Sequence, residues 1–399
     1  MKKITIFLVA VLLVLSACGS SKENSARPDA TEPFIGGNDA LKFGFAQGTP
    51  PDFVFDNNQN PFAIVNQIEN LGEADVPANN LVIKVVGVNP MDFGIDTEAD
   101  RAAYRYPGLD PNALDIVDAN RQFITGARKN FDGTQLPGDK DYVEFPDLVY
   151  LPDLNGNTGV IIRAEACYNY MTKTSTLLCI KKDLLADSNS EIRVCKLSEE
   201  KDAKNSGGPV QVTALKQVPQ GRNKIQVTFM VEHVGHKSAR LYEIEPAYAE
   251  GYEHSVSTGI DFKGVPINAP IIQQNTGLPP ESSCLDDVTN RRMNRVLIDV
   301  TSLHSGQPVI CSGFDATGVG GEAIPAPLGG VRQVGKSRGY VTLWKDAQGG
   351  TLQPRAITCT IDTTNIGPDE VYEELLTMDL YYTYQQSIEK PMEIRDVKT

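Results

Sequence analysis

The run KIQVTFMVEHVG, residues 224–235, alternates apolar and polar side chains with a period of two. Ile225, Val227, Phe229 and Val231 fall on one face of an extended chain, and Gln226 and Thr228 on the other. The same alternation recurs in RVLIDVTSL (Val296, Ile298, Val300) and in TMDLYYTY (Met378, Leu380, Tyr382, Tyr384). It recurs again in IRAEACYNY, where Ile162, Ala164, Ala166, Tyr168 and Tyr170 oppose Arg163, Glu165, Cys167 and Asn169. Such faces predict antiparallel sheets with one side buried and the other wet. The 34 Gly and 25 Pro make the chain turn-dense, and Asp110 to Asn130 is the best helical stretch, read as a short helix in an insertion. The expected class is all-β.

Two landmarks occur twice in the same order. Glu69-Asn70-Leu71-Gly72 closes one alternating run and Glu232-His233-Val234-Gly235 closes another, 163 residues later. Tyr168-x-Tyr170 matches Tyr382-x-Tyr384, and Ile180 matches Ile394, at a spacing of 214. The second copy therefore carries about 51 more residues between its landmarks. Each copy is expected to be a β-sandwich of immunoglobulin-like size whose last two strands form a hairpin through the Y-x-Y motif. The expected organisation is a signal peptide (1–17), a flexible lipid-anchored tether (18–40) and a first sandwich (41–183). A polar linker (184–208) and a second sandwich (209–399, with an insertion at about 248–290) complete it.

The chain begins with Lys2 and Lys3, an apolar stretch from Ile4 to Leu15, and Leu15-Ser16-Ala17-Cys18. This resembles the lipobox of prokaryotic lipoproteins, which implies a diacylglycerol on the Cys18 thiol and anchoring to the extracytoplasmic face of a membrane or the cell surface. No second apolar stretch approaches the roughly 20 residues of a spanning helix. The net charge of −14, or −16 without Lys2 and Lys3, disfavours a nucleic-acid partner. The other six cysteines, Cys167, Cys179, Cys195, Cys284, Cys311 and Cys359, read as three disulfides in an exported chain. A hairpin centred near Lys173 would pair Cys167 with Cys179. Cys311–Cys359 and Cys195–Cys284 would follow, with Cys179–Cys195 as the rival pairing.

Ile68 to Gly72 with the run Leu81 to Val88, and Val231 to Gly235 after Ile225, resemble CARDB-type immunoglobulin-like repeats of prokaryotic surface proteins. The resemblance implies adhesive or spacer modules and supplies no catalytic residues. The cysteines, the insertion after Val88 and the segment from Tyr248 to Asn290 depart from the simple repeat.

Motifs with other meanings fare worse on context. GGVRQVGKS (329–337) spells a phosphate-binding loop through Gly330, Gly335, Lys336 and Ser337. It follows Pro325 and Pro327 and precedes an alternating run, where a true phosphate loop joins a buried strand to a helix N-terminus. No nucleotide is expected. Glu232, His233 and His236 invert the order of a helical zinc motif, and Gly235 breaks any helix there. Asp153, Asn155 and Asn157 have the spacing of a calcium loop but lack its Gly and terminal Glu, so they stand as weak candidates. Asp299, Ser302 and His304 sit in a strand–turn context rather than a nucleophile elbow. Tyr340, Trp344 and Phe53 to Phe55 are expected in the core. The composite expectation is a non-catalytic surface protein with no cofactor that meets a protein or envelope partner. The alternative is a solute-binding lipoprotein or hydrolase with a site between its two domains.

Overall fold

A computed structural model describes residues 32–77, 81–94, 123–130, 132–182, 184, 195–244, 293–302, 309–315, 323–325, 331–333, 337–346, 350–367 and 370–397. Among them the fold is all-β with one short 3-10 turn, Pro90–Phe93. The N-terminal half supplies β1 (Leu41–Phe45), β2 (Phe53–Phe55), β3 (Phe62–Asn70), β4 (Val76–Pro77), β5 (Val82–Val86), β6 (Phe123–Ile124), β7 (Arg128–Lys129), β8 (Gln135–Leu136), β9 (Lys140–Leu148) and β10 (Thr158–Lys181). Two short strands follow, β11 (Glu199–Glu200) and β12 (Lys204–Asn205). The C-terminal half supplies β13 (Val210–Pro219), β14 (Lys224–His233), β15 (Arg240–Tyr242), β16 (Arg295–Ser302), β17 (Ile310–Ser312), β18 (Ala323–Pro325), β19 (Val331–Gln333), β20 (Arg338–Thr342), β21 (Arg355–Asp362) and β22 (Val371–Arg395).

The frame is a ribbon of two very long strands. β10 has 24 residues and β22 has 25, and they pair antiparallel from Thr158↔Ile394 to Lys181↔Val371. At ~3.3 Å per residue the ribbon runs roughly 80 Å. Each Y-x-Y motif thus lies inside one continuous strand, and the two motifs face each other: Tyr168↔Tyr384 and Tyr170↔Tyr382. The expected hairpins do not form; in the first copy MTKTSTLLCIKK (171–182) contains no Gly, Pro, Asn or Asp on which a tight turn could be built. Pro391 is tolerated in β22 because it faces Ile161 on one edge and no described strand on the other.

Further strands widen the ribbon. β5 and β12 pair with β10, while β16, β15 and, in parallel, β2 pair with β22. Two smaller sheets lie on its tyrosine-bearing face. β1-β3-β9 bonds to the Thr158–Tyr170 end, and β11-β13-β14-β21-β17 bonds to the other, where the Gln217 side chain both donates to and accepts from the Cys179 backbone. The alternation read from sequence builds this interface: Ile225, Val227, Phe229 and Val231 of β14 are all fully buried. One apolar core runs through both halves.

The two halves repeat one topology. β1-β3-β9 corresponds to β13-β14-β21, β5 on β10 to β16 on β22, and β10 to β22. The carbonyl of Ala40 accepts from the amides of Leu71 and Gly72, as the carbonyl of Pro209 accepts from those of Val234 and Gly235. Registers locate the length difference. Val65 faces Glu144 where Thr228 faces Thr358, and Val85 faces Ala164 where Val300 faces Met378. Spacings of 163 before Tyr242 and 214–215 from Arg295 onward put the extra residues between β15 and β16.

Three expectations need correction. Cys167 and Cys179 lie on one strand, twelve residues or about 40 Å apart, so they cannot bond to each other. Cys179 is bonded to Cys195, which also rules out Cys195–Cys284. Cys311 and Cys359 face each other across β17 and β21 and are bonded. Cys167 is disulfide-bonded too; Cys284 and Cys18 lie outside the described residues. The helix expected over 110–130 lies outside the described residues as far as 122, and residues 123–124 and 128–129 are strands instead. The end of the expected tether is docked: residues 32–40 are hydrogen-bonded to the body from Glu32 onward.

Candidate functional site

The most constructed region is the point where the two halves meet. With Tyr170 matched to Tyr384, a local two-fold axis must pass through the Asn169↔Thr383 pair. Those side chains bond across it, Thr383 Oγ1 donating to Asn169 Oδ1 at 2.7 Å. On the opposite face the four tyrosines form one cluster, with ring centroids 6.0–6.4 Å apart for Tyr168–Tyr170, Tyr168–Tyr384, Tyr170–Tyr382 and Tyr382–Tyr384. Edge and tilted contacts at such spacings suit the ring quadrupoles.

Every hydroxyl of the cluster has a partner. Tyr168 Oη accepts from Gln386 Nε2 (2.6 Å) and the Leu41 amide (3.3 Å). Tyr170 Oη accepts from the Ala74 amide (3.3 Å) and donates to the Gly207 carbonyl (3.0 Å). Tyr382 pairs with Thr172 Oγ1 at 2.8 Å, and Tyr384 with His233 Nε2 at 3.3 Å. Burial holds all four phenols above their ordinary pKa, so they stay protonated.

Glycines let backbone close over the hydroxyls. A Cβ on Gly72 would lie 1.9 Å from Tyr170 Oη, and one on Gly235 would lie 2.6 Å from Tyr384 Oη. Glu73 binds the crossing strands together: its carboxylate accepts from the amides of Ile35 (2.9 Å), Gly36 (3.1 Å) and Gly207 (2.8 Å). The Gly208 amide donates to the Gly37 carbonyl at 3.1 Å. The N-terminal segment and the connection between the halves therefore cross at the axis.

The copies differ at one position of consequence. Asn70, paired with Leu41, donates from its side chain to the carbonyls of Ala74 and Ile124. Its counterpart His233, paired with Val210, packs on Tyr384, and burial together with nearby His236 lowers its pKa to about 4. His236 Nδ1 is engaged by Ser238 Oγ at 2.8 Å, and Glu232 accepts from Thr213 Oγ1 at 3.2 Å, so the E-H-x-x-H run ends a strand and enters a turn.

Other candidates are dispersed. Asp153, Asn155 and Asn157 lie exposed in the loop between β9 and β10, where Asn157 donates to Glu393 and accepts from the Asp396 amide. Among the described residues no group of three or more His, Cys, Asp or Glu is placed to hold a metal. Asp299 and Ser302 lie on opposite faces of β16, Ser302 Oγ donating to Glu374, and His304 is outside the described residues. Within GGVRQVGKS, Val331–Gln333 is a hairpin strand, and Ser337 leads into strand β20 rather than a helix.

Sequence reading missed a charged row across four strands: Lys173, Asp379, Asp299 and Arg338 stand side by side. Asp299 and Arg338 are each 1% exposed. Two facing carboxylates are unfavourable alone, and the flanking cations offset them. Beside the row, Arg295 lies 4.5 Å over the Tyr340 ring and pairs with Glu243 and Asp315. Tyr340 and Val54 are in the core as expected, but Trp344 is 60% and Phe53 40% exposed. Comparison of the chain with protein-family models, with curated proteins and with solved structures returns no match.

Proposed function

We propose that the protein is a non-catalytic, lipid-anchored surface protein whose rigid β body serves adhesion, interaction or structural spacing at the cell envelope. The observation that carries this reading is the junction at the local axis. Its phenols, carboxylate and glycines are turned inward on one another and on the crossing backbone, an arrangement that fixes geometry rather than presenting a reactive group. The Cys179–Cys195 and Cys311–Cys359 disulfides suit an oxidising, extracytoplasmic setting. Among the described residues no helix is long and apolar enough to cross a membrane; the lipobox-like Leu15-Ser16-Ala17-Cys18 supports attachment through a lipid on Cys18. The insertion after Val88 and the segment from Tyr248 to Asn290 are the stretches through which a protein or envelope partner would be met.

Metabolic labelling with a palmitate analogue tests the anchor. The wild-type chain is expected to take up label and sediment with membranes, and Cys18→Ser to do neither. Unlabelled wild type, or a Cys18→Ser chain still held on membranes, would overturn it. Cross-linking on intact cells should then yield a discrete adduct that depends on the body and not on the lipid.

A further inference from the structure

We infer that the protein is held to its bilayer by the waist, side-on, with the two ends of the long ribbon at equal distance from the lipid surface. This deepens the anchoring proposed above and rests on it. A chain lipidated at its N-terminus would stand end-on if Glu32 and the residues just after it lay at one tip of the body. Here they do not. Glu32 pairs with Lys204 at 2.6 Å, and its carbonyl accepts from Lys129 Nζ at 2.8 Å. Ile35 and Gly36 are gripped by Glu73, and the Gly37 carbonyl takes both the Gly208 amide and Gln211 Nε2. Lys204 and Asn205 pair with Ser175 and Thr174, six and five residues along β10 from Asn169, and Gly207 sits on Tyr170. The N-terminal segment therefore meets the body beside the local axis at Asn169↔Thr383.

Geometry turns this docking into an orientation. Thirteen residues separate Cys18 from Glu32 and can span at most about 50 Å. Each ribbon end lies about 40 Å from the middle. Standing the body on one end would lift the waist by that distance and draw the intervening chain close to its full contour, at a cost in conformational entropy. Lying side-on carries no such cost. The partner face is thus a lipid bilayer apposed to the waist.

The test uses two positions placed symmetrically about the axis, Ile161 and Leu177, each eight residues from Asn169 on β10 and 54% and 49% exposed. A donor dye is attached through an azide-bearing residue at one or the other in the full-length lipidated protein. Energy transfer is then measured to acceptor lipids in phosphatidylcholine vesicles. Equal transfer from both positions is expected. A spacer of about 20 Gly/Ser residues placed between Cys18 and Glu32 should lower transfer equally at both, since it lengthens the one attachment at the waist. Transfer more than twofold greater from one position, or a spacer that dims only one, overturns the side-on pose. Failure of the anchor itself looks different: no transfer from either position, and a Cys18→Ser chain indistinguishable from wild type.

Discussion

Gly72 shows how closely the junction is fitted. A methyl group there would fall 1.9 Å from Tyr170 Oη and 2.8 Å from the Gly207 carbonyl, and neither can retreat without breaking the bond between them. Gly72→Ala is therefore expected to cost on the order of 3 kcal/mol in urea unfolding, the range of overpacking in a tight core. A wild-type midpoint would mean that the junction has room for a methyl group. Its counterpart position carries a pH signature. His233 titrates at about 4 in the folded chain against 6.5 as a free side chain, because burial penalises its charged form. Between those values the unfolded chain binds more protons, so this group's contribution to stability is full above pH 6.5 and is lost as pH falls toward 4. His233→Asn, which installs the residue found at Asn70, should flatten the acid limb of Tm against pH over that window relative to wild type. Superimposable limbs would remove the assignment. Gly72, Gly235 and the Y-x-Y pairs were legible in sequence because the repeat displays them twice. Glu73 was not, since nothing in a lone carboxylate after Gly72 shows that Ile35 and Gly207 will converge on it. Trp344 and Arg338 invert the ordinary rule of apolar inside and charged outside. Arg338 is held in the core by Asp299, which only the strand register brings beside it.

At the level of elements, period-two alternation identified the faces of β10, β14, β16 and β22 but could not say which strand lay next to which. The hairpin reading of the Y-x-Y motifs took two similar segments and folded each on itself, whereas the protein pairs them with each other. Both arrangements bury the same tyrosine face, so the hydrophobic pattern alone does not separate them. The missing turn residues between Met171 and Lys182 were the available signal. Alternation also understates burial, because Leu297 and Asp299 on the second face of β16 are as buried as Val296 and Ile298. The disulfides follow from the corrected pairing. Non-reducing peptide mapping is expected to recover Cys179 joined to Cys195 and Cys311 joined to Cys359. A Cys167–Cys179 peptide would contradict the continuous strand. Cys195→Ser frees the connection from β10 and should lower stability by about 3 kcal/mol, the chain-entropy value for a loop of this length, with the effect read from the urea midpoint.

For the whole molecule, the decisive consequence of the ribbon is cooperativity. Two sandwiches on a linker would each own a core and unfold independently. In this chain the sheet β1-β3-β9 closes over a ribbon half of whose residues come from β22, and β2 completes the far end of that strand through Phe53↔Glu393 to Phe55↔Arg395. Buried Asp56 then ties the C-terminus to the first half by accepting from the amides of Val397 and Leu154. Neither half retains its second layer if the other melts. Calorimetry should therefore show one transition, with the van't Hoff enthalpy matching the calorimetric enthalpy. The sharper form uses a cavity placed in one half only. Ile68→Ala on β3 removes a fully buried side chain and should cost 2–5 kcal/mol. If the ribbon couples the halves, that substitution lowers the temperature of the single transition, and exchange protection of β14 and β21 amides falls with that of β3. If the halves are independent, the endotherm splits, and β14 and β21 keep wild-type protection while β3 opens. A split endotherm would also undercut side-on anchoring, because a waist can orient the molecule only if both arms are rigid with it.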